Sequence, residues 1–398
     1  MCTVTSRTQV GIVGAGPAGL MLGHLLHRQG IDSVIIENRS EQHVVERVRA
    51  GVLEQSTVDL MRETGTGHRL EREGLRHDGF HIAFEGRRHR IDMAGLTGGR
   101  AITIYGQNEV VKDLIEARRA TGRPLFFEAS NVGVADLDSR QPVVRFTADG
   151  ADHQLACDFI GGCDGFHGVC RPAIPADAIR IFERVYPFGW LGILADAPPS
   201  ASELVYSLHE RGFALFSMRS TSITRLYLQC GHDEDVNGWS DARIWSELRT
   251  RLATEDGWKP NQGPILQRGV TGMRSFVAEP MRYGRLFLAG DSAHIVPPTG
   301  AKGLNLAMAD VYRLSHAIAE CYRSGSERLL DRYSERALRR TWRAQRFSFW
   351  MTSMLHQDDA GNPFDYRRQI ADLEYLFTSR AAMTSLAESY AGAPFDHE

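Results

Sequence analysis

Cysteine is scarce in this sequence, and its spacing excludes two kinds of site. The 398 residues contain six cysteines, none of which forms a CxxC pair: Cys2, Cys157, Cys163, Cys170, Cys230 and Cys321. Such scattered positions predict neither a zinc site nor a disulfide framework. We therefore expect buried free thiols in a protein from a reducing compartment.

An excess of one charge and a long hydrophobic run are also missing. The chain has 46 Lys and Arg against 49 Asp and Glu, a net charge of −3, which gives no support for nucleic-acid binding. No apolar stretch approaches the length of a membrane span. The first apolar run, VGIVGAGPAGLMLG, is broken by glycines and proline and has no basic segment before it, unlike a secretory signal. We expect a cytoplasmic protein whose partners include neither nucleic acid nor membrane.

The N-terminal segment predicts a nucleotide-binding turn between a strand and a helix. Gly14, Gly16 and Gly19 form a GxGxxG motif, and Glu37 follows eighteen residues beyond the last glycine. The first glycine permits a tight turn, the second lets a pyrophosphate approach the backbone, and the third lets helix and strand pack closely. The helix N-terminus attracts the anion, and Glu37 can accept hydrogen bonds from an adenosine ribose. The motif predicts dinucleotide binding but does not distinguish FAD from NAD.

A second loop, GDSAHIVPPTGAKGLNLA at 290–307, distinguishes these two cofactors. After Asp291 its only other charged residue is Lys302. The preceding strand, GRLFLAGD, places Asp291 at the carboxyl edge of a sheet, where an acid suits the hydroxyls of a ribityl chain. The dipole of the helix that follows would stabilise negative charge on a reduced flavin. The loop therefore predicts bound FAD.

The rest of the chain predicts two kinds of sheet with helices between and after them. Helices are expected near 56–64 and 108–119, strands within 142–189, antiparallel strands within 203–229, a helix capped by Ser240, and helix from Lys302 onward. The arginine-rich region 327–346 predicts a helix whose basic face is solvated or part of an interface, and the net charge makes a nucleic-acid patch the weaker alternative. Since the sequence has no internal repeat or low-complexity linker, the two sheets are expected to belong to interleaved lobes.

Eight motifs occur in the order and spacing of the flavin-dependent aromatic hydroxylases: GAGPAGL, RAGVLEQ, CDFIGGCDG, FERVYPFGW, RGFAL, RSFVAEPM, GRLFLAGDSAHIVPPTGAKGLN and FWMTSMLH. The chain resembles this family across nearly its whole length, and most closely its members that act on 4-hydroxybenzoate. The resemblance implies an α/β fold in which a Rossmann-like FAD-binding domain is interleaved with an antiparallel-sheet substrate domain, with a helical C-terminal region. We expect the FAD-binding domain in 1–180, the substrate domain in 181–279, and the return strand, helix and C-terminal helices in 280–398.

The same resemblance implies the reaction and its partners. A member of this family would use NAD(P)H and O2 to hydroxylate 4-hydroxybenzoate to 3,4-dihydroxybenzoate through a flavin hydroperoxide, and would form a homodimer. A single GxGxxG motif suggests that the nicotinamide nucleotide visits a groove and has no second Rossmann domain. The segment NRSEQH after Glu37 departs from better-known members at Asn38 and His43. Because Arg39 could hold a 2′-phosphate while Glu41 would repel one, the choice between NADPH and NADH stays open.

Cofactor-binding residues beyond the two glycine-rich segments are assigned by resemblance alone. Arg49 and Gln107 would join the FAD site, and Asp164 would hold the fold around both FAD and the nicotinamide nucleotide. His167 and Arg274 match positions that assist the nicotinamide nucleotide. Further positions matched to the cofactor site are Arg47, Lys302, Gly303, Leu304 and Asn305.

The substrate side can be predicted from strand periodicity. In GFALFSMR, one face of a strand carries an apolar wall that ends in a hydroxyl and a guanidinium: Phe213, Leu215, Ser217 and Arg219. Such a face suits an aromatic ring with a carboxylate, because arginine binds carboxylates bidentately. Arg225 and Tyr227 share a face of the neighbouring strand. A surface salt bridge and a core tyrosine are the alternatives for any one of these residues.

The resemblance adds specific roles for the substrate. Ser217, Arg219 and Tyr227 match carboxylate-binding residues. Tyr206 matches the residue that contacts the phenol, and Tyr390 matches its partner in a proton relay. Pro298 would present a backbone carbonyl near the phenol, and His77 would form the outer end of the relay. On the residues alone, His77 would be an ordinary polar side chain.

Three alternatives remain at this stage. A related hydroxylase could act on another hydroxy- or aminobenzoate, although the two tyrosines together with Arg219 favour a para-phenol carboxylate. A purely NAD-dependent dehydrogenase would be colourless when purified. A flavin-bearing sensor would be yellow but would show no NAD(P)H oxidation stimulated by substrate.

Overall fold

The computed structural model describes residues 3–46, 51–357 and 362–395. Within these ranges the strands are β1 (Thr3–Arg7), β2 (Val10–Val13), β3 (Ser33–Ile36), β4 (Val52–Glu54), β5 (Leu75–His77), β6 (Phe80–Phe84), β7 (Arg87–Ile91), β8 (Ile102–Ile104), β9 (Leu125–Phe126), β10 (Ser130–Ala135), β11 (Val143–Ala148), β12 (Ala151–Ala156), β13 (Phe159–Gly162), β14 (Arg180–Asp196), β15 (Val205–Ser207), β16 (Ala214–Met218), β17 (Ile223–Gly231), β18 (Ile265–Glu279), β19 (Arg282–Tyr283), β20 (Leu286–Leu288) and β21 (His294–Ile295). The α-helices are α1 (Pro17–Arg28), α2 (Glu41–Glu46), α3 (Gln55–Glu63), α4 (His68–Glu73), α5 (Met93–Leu96), α6 (Gln107–Ala120), α7 (Asp241–Arg251), α8 (Gly303–Ser324), α9 (Arg328–Asp331), α10 (Tyr333–Leu355), α11 (Pro363–Thr378) and α12 (Arg380–Ala391). Short 3-10 helices cover Arg171–Ala173, Val236–Gly238, Gly290–Ser292 and Pro298–Gly300.

A six-stranded, mostly parallel sheet is built around the N-terminal strand, in the order β19-β20-β13-β2-β3-β9. Strands β2, β13 and β20 are buried along their whole length, as expected of parallel strands covered on both faces. Helix α1 begins at Pro17, where the missing N–H costs nothing, and packs against α6 and α8. The strand–turn–helix–strand unit predicted for the N-terminal segment is confirmed.

An eight-stranded sheet has the order β21-β18-β14-β17-β16-β15-β6-β7, and every pairing in it is antiparallel except β15 with β6. The antiparallel strands predicted within 203–229 are β15, β16 and β17. Strands β6 and β7 come from early in the chain and β21 from late in it, so the two sheets are interleaved as predicted. The boundaries after residues 180 and 279 stay a prediction, since β6 and β7 lie within 1–180 but pair in the second sheet.

Helices α8 to α12 form the expected helical C-terminal region. The arginine-rich helix is α10, which packs on α8, β18 and the 3-10 helix Pro298–Gly300. It exposes Arg339, Arg343 and Arg346 but buries Arg340. Helix α12 packs against α5 and α11, which places its C-terminal turn beside the eight-stranded sheet.

The cysteines behave largely as predicted. Cys157, Cys163, Cys170 and Cys230 are buried free thiols, Cys321 is half-buried and free, and Cys2 lies outside the described residues. In the described ranges, no helix is both long enough and apolar enough to cross a membrane.

Candidate active site

The GxGxxG turn closes as tightly as the motif predicts. Gly14 has a φ of +104°, and a Cβ on it would collide with the carbonyl oxygen of Cys163. A Cβ on Gly19 would collide with the carbonyl oxygen of Gly14, so both positions exclude a side chain. In contrast, no described atom lies within 4 Å of the place that a Cβ on Gly16 would take. The backbone is therefore bare and accessible where α1 begins, which is the shape that a pyrophosphate needs.

Glu37 connects the glycine turn to the end of β3. Its Oε2 accepts a hydrogen bond from Ala15 N at 2.8 Å, and its Oε1 accepts one from Arg39 N at 2.8 Å. Each carboxylate oxygen has a second lone pair for a further donor such as a ribose hydroxyl. The carboxylate is thus held at the carboxyl edge of the parallel sheet, as predicted for a ribose acceptor.

The second loop also lies at this edge, directly after β20. Asp291 occupies the short 3-10 helix Gly290–Ser292 and is half-buried. Asp310 Oδ2 accepts hydrogen bonds from Gly290 N at 3.0 Å and from His294 Nε2 at 2.7 Å, which fixes the loop from behind. At the start of α8, no described atom lies within 4 Å of a Cβ built on Gly303. The first turn of α8 can therefore be approached closely by a flat ring.

Two residues predicted to bind the cofactor, Lys302 and Asn305, direct their side chains into the protein. The ammonium of Lys302 donates to Glu54 Oε1 at 2.6 Å and to the carbonyl oxygen of Tyr390 at 3.0 Å. Asn305 donates to the carbonyl oxygens of Val52 and Ala301 and accepts from Glu54 N and Thr57 Oγ1. These side chains tie the start of α8 to β4, because both are almost fully buried and their polar groups already have protein partners. Leu304 is half-buried in the same turn.

The predicted nicotinamide residues come together around one ring. The guanidinium of Arg274 lies 4.7 Å from the centre of the Phe166 ring. The centre of the His167 ring lies 4.9 Å from the centre of the same Phe166 ring, and the two rings meet edge to face. Arg274 also forms an ion pair with Glu183 at 3.2 Å. Asp164 accepts from Cys170 N at 2.8 Å through Oδ2, whereas its buried Oδ1 has no hydrogen-bond partner among the described residues. Burial raises the pKa of Asp164.

These features fit FAD. The bare backbone at Gly16 and Gly303, the fixed carboxylate of Glu37 and the half-buried Asp291 lie along one edge of the parallel sheet, where α/β sheets bind ligands. Gln107 is the first residue of α6 and is half-buried. Arg47 and Arg49, also predicted for this site, lie outside the described residues.

Replacing Asp291 with alanine is expected to weaken FAD binding by roughly ten- to a hundredfold. The ribityl hydroxyls would lose an ionised acceptor, and a hydrogen bond to a charged group is worth about 1.5–3 kcal/mol. Fluorescence titration of the apoprotein with FAD measures this directly. Glu116→Ala, which removes one exposed carboxylate from α6, is the matched control. An Asp291→Ala protein that keeps full FAD occupancy after extensive dialysis would show that Asp291 has no such role.

The substrate candidates line up across four strands of the eight-stranded sheet. Tyr206 on β15 is opposite Leu215 on β16, which is opposite Tyr227 on β17, which is opposite Gly192 on β14. In the next row, Ser217 is opposite Arg225. Directly opposed residues project from the same face of a sheet. The shared face that periodicity predicts for β16 and β17 is therefore present.

Positive charge concentrates at one end of this face. The guanidinium of Arg225 lies 5.0 Å from the centre of the Tyr227 ring, and its buried Nε has no hydrogen-bond partner in the described part of the chain. Burial alone would raise the pKa of Tyr227, but the charges of Arg225 and Arg219 outweigh it and lower that pKa. Burial lowers the pKa of Arg219. This end of the face is suited to an anion.

Two glycines make room for these guanidinium groups. A Cβ on Gly192 would lie 2.7 Å from Arg225 Nη2, and a Cβ on Gly51 would collide with Arg219 Nη1. Sequence reasoning missed both residues. Gly192 interrupts the strand sequence WLGIL, and a glycine inside a strand often marks a close approach, so a signal was present for it. Nothing in the sequence connects Gly51 with Arg219.

A pair of buried tyrosines lies at the other end of the face. The hydroxyl oxygens of Tyr206 and Tyr390 are 2.5 Å apart, and both side chains are almost completely buried. Tyr206 also donates to the carbonyl oxygen of Thr299 at 3.2 Å. The carbonyl oxygen of Pro298, predicted to lie near the phenol of the substrate, accepts from Ala301 N at 2.9 Å inside the 3-10 helix. Burial raises the pKa of both tyrosines.

His77 does not contact the tyrosine pair. Its Nε2 lies 3.3 Å from Met218 Sδ, and its buried Nδ1 has no hydrogen-bond partner within the described ranges. Burial lowers the pKa of His77 to about 4, so its imidazole is neutral at physiological pH. Any proton route from Tyr390 to His77 would need an intermediate carrier such as water.

The chain is similar to known flavin-dependent proteins. The family described as FAD binding domain matches residues 7–348. A p-hydroxybenzoate hydroxylase of Acinetobacter baylyi is 50% identical over 392 residues, 98% of this chain and 97% of that protein. The 6-methylpretetramide 4-monooxygenase of Streptomyces rimosus is 27% identical over 88% of this chain and 85% of that protein. The solved structure of p-nitrophenol 4-monooxygenase from Pseudomonas putida has the same fold, with a TM-score of 0.82 at 18% identity, covering 98% of this chain and 99% of that one.

Proposed function

Because this chain belongs to the FAD-dependent aromatic hydroxylases, we propose that its reaction is the hydroxylation of 4-hydroxybenzoate to 3,4-dihydroxybenzoate. One atom of O2 enters the ring at carbon 3 and the other leaves as water, with two electrons from NAD(P)H. The observation that carries the substrate assignment is the sheet face with a tyrosine pair at one end and Ser217, Arg219 and Arg225 at the other. The 50% identical relative, named p-hydroxybenzoate hydroxylase, supports the same substrate.

The two ends of this face hold the two ends of a para-substituted ring. Arg219, Ser217 and Tyr227 bind the carboxylate, with Arg225 adding positive charge beside them. Tyr206 accepts the phenolic hydrogen bond at the opposite end. Leu215 lies between them and gives the ring an apolar wall. A carboxylate and a hydroxyl in para positions match this separation, whereas an ortho-aminobenzoate would leave the tyrosine pair without a partner.

When bound, FAD would supply the redox chemistry, namely acceptance of two electrons from NAD(P)H and activation of O2 as an electrophile. The protein must therefore make the ring electron-rich. A phenol with a pKa near 10 is only about one per cent ionised at pH 8. Because the guanidinium groups pair with the carboxylate at the other end of the ring, the hydrogen bond to Tyr206 is what favours the phenolate.

The tyrosine pair receives the phenolic proton. Tyr206 can direct its own proton to Thr299 O or to Tyr390, and these alternatives let it act first as donor and then as acceptor. When the substrate donates to Tyr206, the proton of Tyr206 passes to the oxygen of Tyr390, and the proton that Tyr390 carried leaves to a water molecule. The raised pKa values keep both tyrosines neutral, so the pair moves a proton without holding a charge.

The nicotinamide nucleotide would bind at the Phe166 ring, between His167 and Arg274. Both groups are accessible, and a cation beside an aromatic face suits a phosphate and a flat base. Glu41 forms an ion pair with Arg119 at 2.5 Å, which reduces its repulsion of a 2′-phosphate on NADPH. NADPH and NADH are both candidate reductants.

The proposal is tested by measuring consumption of NADPH and NADH with a panel of ring acids. The panel contains 4-hydroxybenzoate, 3-hydroxybenzoate, 2-aminobenzoate and phenol, and both hydroxylated product and hydrogen peroxide are quantified. We expect 4-hydroxybenzoate to give the fastest consumption with nearly one product per nucleotide. Tight coupling with 3-hydroxybenzoate or 2-aminobenzoate, and not with 4-hydroxybenzoate, would assign the other benzoate.

We also propose that the chain forms a homodimer through an exposed aromatic groove. The groove has a volume of about 630 Å³ and lies between β14, α10 and α12. Trp342, Phe349 and Trp350, which line it, are 42%, 40% and 39% exposed, and exposed apolar patches of this kind mark interaction sites. The guanidinium of Arg184 already lies 5.1 Å from the centre of the Phe349 ring. A two-fold axis would repeat such contacts between copies, because the same patch then faces itself.

Trp350→Arg is expected to convert the dimer to a monomer. The change adds charge to the groove while leaving the buried side of α10 intact. Sedimentation velocity of both proteins measures the outcome, and Tyr375→Arg, at a 65% exposed aromatic on α11, is the matched control. A Trp350→Arg protein that sediments as the same dimer would exclude this surface as the interface.

A further inference from the structure

The segment that follows Tyr390 is held by side chains from several distant elements. The backbone carbonyl oxygens of Tyr390 and of residues 392–395 accept hydrogen bonds from side chains. Lys302 Nζ donates to Tyr390 O at 3.0 Å, and Arg100 Nη1 donates to Gly392 O at 2.5 Å. Ala393 O accepts from Arg340 Nη2 at 2.8 Å and from Ser56 Oγ at 2.9 Å, while Pro394 O accepts from Arg340 Nη1 and Phe395 O from Arg313 Nη2, both at 3.3 Å. Cations supply all but one of these donors. We refer to residues 390–395 as the tail segment.

Arg340 makes the most contacts with the tail segment. Besides the two carbonyl oxygens, its Nη2 lies 3.3 Å from Glu54 Oε2, and its guanidinium lies 5.2 Å from the centre of the Phe395 ring. Glu54 also accepts from Lys302, so this carboxylate joins two cations. All three charged side chains are at most 8% exposed.

The tail segment passes directly over this cluster. Gly392 has a φ of +78°, and a Cβ on it would collide with Glu54 Oε2. Two cations and one carboxylate leave a buried cluster with excess positive charge, which needs further acceptors to be stable. The carbonyl oxygens of the tail segment are those acceptors, so the cluster and the segment stabilise each other.

We propose that Arg340 is a positioning residue for Tyr390, holding the tail segment so that the Tyr390 hydroxyl stays against Tyr206. This inference rests on the proposed function, since it gives the tyrosine pair its role. The planar guanidinium binds Glu54 and two carbonyl oxygens with donors in a fixed fork, whereas an ammonium is a compact point charge on a flexible stem. Arg340 lies on α10 and has no part in binding the substrate carboxylate, so its effect acts through Tyr390.

The test compares Arg340→Met, Arg340→Lys and Ser56→Ala with the holoenzyme. Arg340→Met keeps the apolar stem and removes every polar contact, Arg340→Lys keeps the charge, and Ser56→Ala removes one bond to the tail segment without disturbing the charged cluster. Arg339→Met is the matched control, because Arg339 is the exposed neighbour on the same helix and forms an ion pair with Glu335 on the helix surface. Circular dichroism confirms folding of each variant.

Two quantities are measured for each protein: hydrogen exchange of the backbone amides in 386–395, and dihydroxybenzoate formed per NAD(P)H consumed. For Arg340→Met we expect the rate of hydrogen exchange to rise at least about tenfold, because losing a hydrogen bond to a charged group destabilises the tail segment by about that factor. Coupling should fall while the KM for 4-hydroxybenzoate changes little, because the carboxylate end is untouched. Arg340→Lys should recover part of both losses, Ser56→Ala should show a smaller loss of the same kind, and Arg339→Met should match the parent.

Unchanged coupling in Arg340→Met would overturn the proposal, whether or not exchange rises. If Arg340→Met does not fold, coupling is measured in Arg340→Lys and Ser56→Ala, and unchanged coupling in both would overturn the proposal. A parent enzyme that forms no dihydroxybenzoate would instead contradict the proposed function, and the exchange data would still report whether Arg340 holds the tail segment.

Discussion

Tyr206→Phe is expected to separate NAD(P)H consumption from hydroxylation. The change removes the hydroxyl that lies 2.5 Å from Tyr390 and leaves the ring wall in place, so substrate still binds through Arg219. The phenol loses its proton acceptor and the stabilisation of its ionised form. A phenol pKa only one unit higher means about tenfold less phenolate, or about 1.4 kcal/mol. NAD(P)H consumption should continue, with hydrogen peroxide replacing dihydroxybenzoate as the main product.

Tyr333→Phe provides the matched control for this result. Tyr333 is another buried tyrosine, and its hydroxyl donates to the carbonyl oxygen of Leu288 at 2.7 Å, away from the substrate face. The Tyr333→Phe protein should keep NAD(P)H consumption coupled to hydroxylation even if its folded state loses some stability. Product and peroxide are quantified together in single reactions. Tight coupling in Tyr206→Phe would show that Tyr206 only fills space and that the proton leaves by another route.

Arg219→Ala is expected to raise the KM for 4-hydroxybenzoate far more than it changes the extent of coupling. An unpaired carboxylate in a desolvated site costs roughly 3–5 kcal/mol. Since each 1.4 kcal/mol is a factor of ten, affinity should fall by a hundredfold to a few thousandfold. Equilibrium titration of the oxidised holoenzyme with 4-hydroxybenzoate measures the affinity without turnover.

Phenol, which lacks the carboxylate, tests the reason for this loss. Its weak binding should be nearly the same in the parent and in Arg219→Ala, because Arg219 has no charge to pair with. Arg219→Lys keeps a cation but not the bidentate geometry, and should lie between the two proteins. An unchanged affinity of Arg219→Ala for 4-hydroxybenzoate would remove Arg219 from the site.

The local part of this site could be predicted from the sequence. Strand periodicity places Leu215 and Ser217 on one face, and the register of β16 with β17 then puts Tyr227 and Arg225 beside them. The glycine turn could also be predicted from local sequence, because the positive φ of Gly14 is required by the neighbouring residues of the motif. Patterns with a period of two, or with fixed spacing across a turn, need no knowledge of distant residues.

Contacts between distant segments could not be predicted in this way. Lys302 looks like a cofactor ligand in the sequence, but Glu54 and the tail segment draw its ammonium into the interior. The hydrogen bond from Tyr206 to the carbonyl oxygen of Thr299 joins residues 93 positions apart in the chain. The environment of His77 follows from a Met218 that lies 141 residues away in the chain. None of these partners has a signature in the sequence around the residue.

The central claim is tested most directly by running the reaction under ¹⁸O₂ and determining the mass and structure of the product. With 4-hydroxybenzoate, NAD(P)H and the FAD-loaded enzyme, we predict 3,4-dihydroxybenzoate that carries one ¹⁸O atom, at ring carbon 3. A product whose new oxygen comes from water, a hydroxyl at another ring position, or peroxide with no hydroxylated ring would contradict the account.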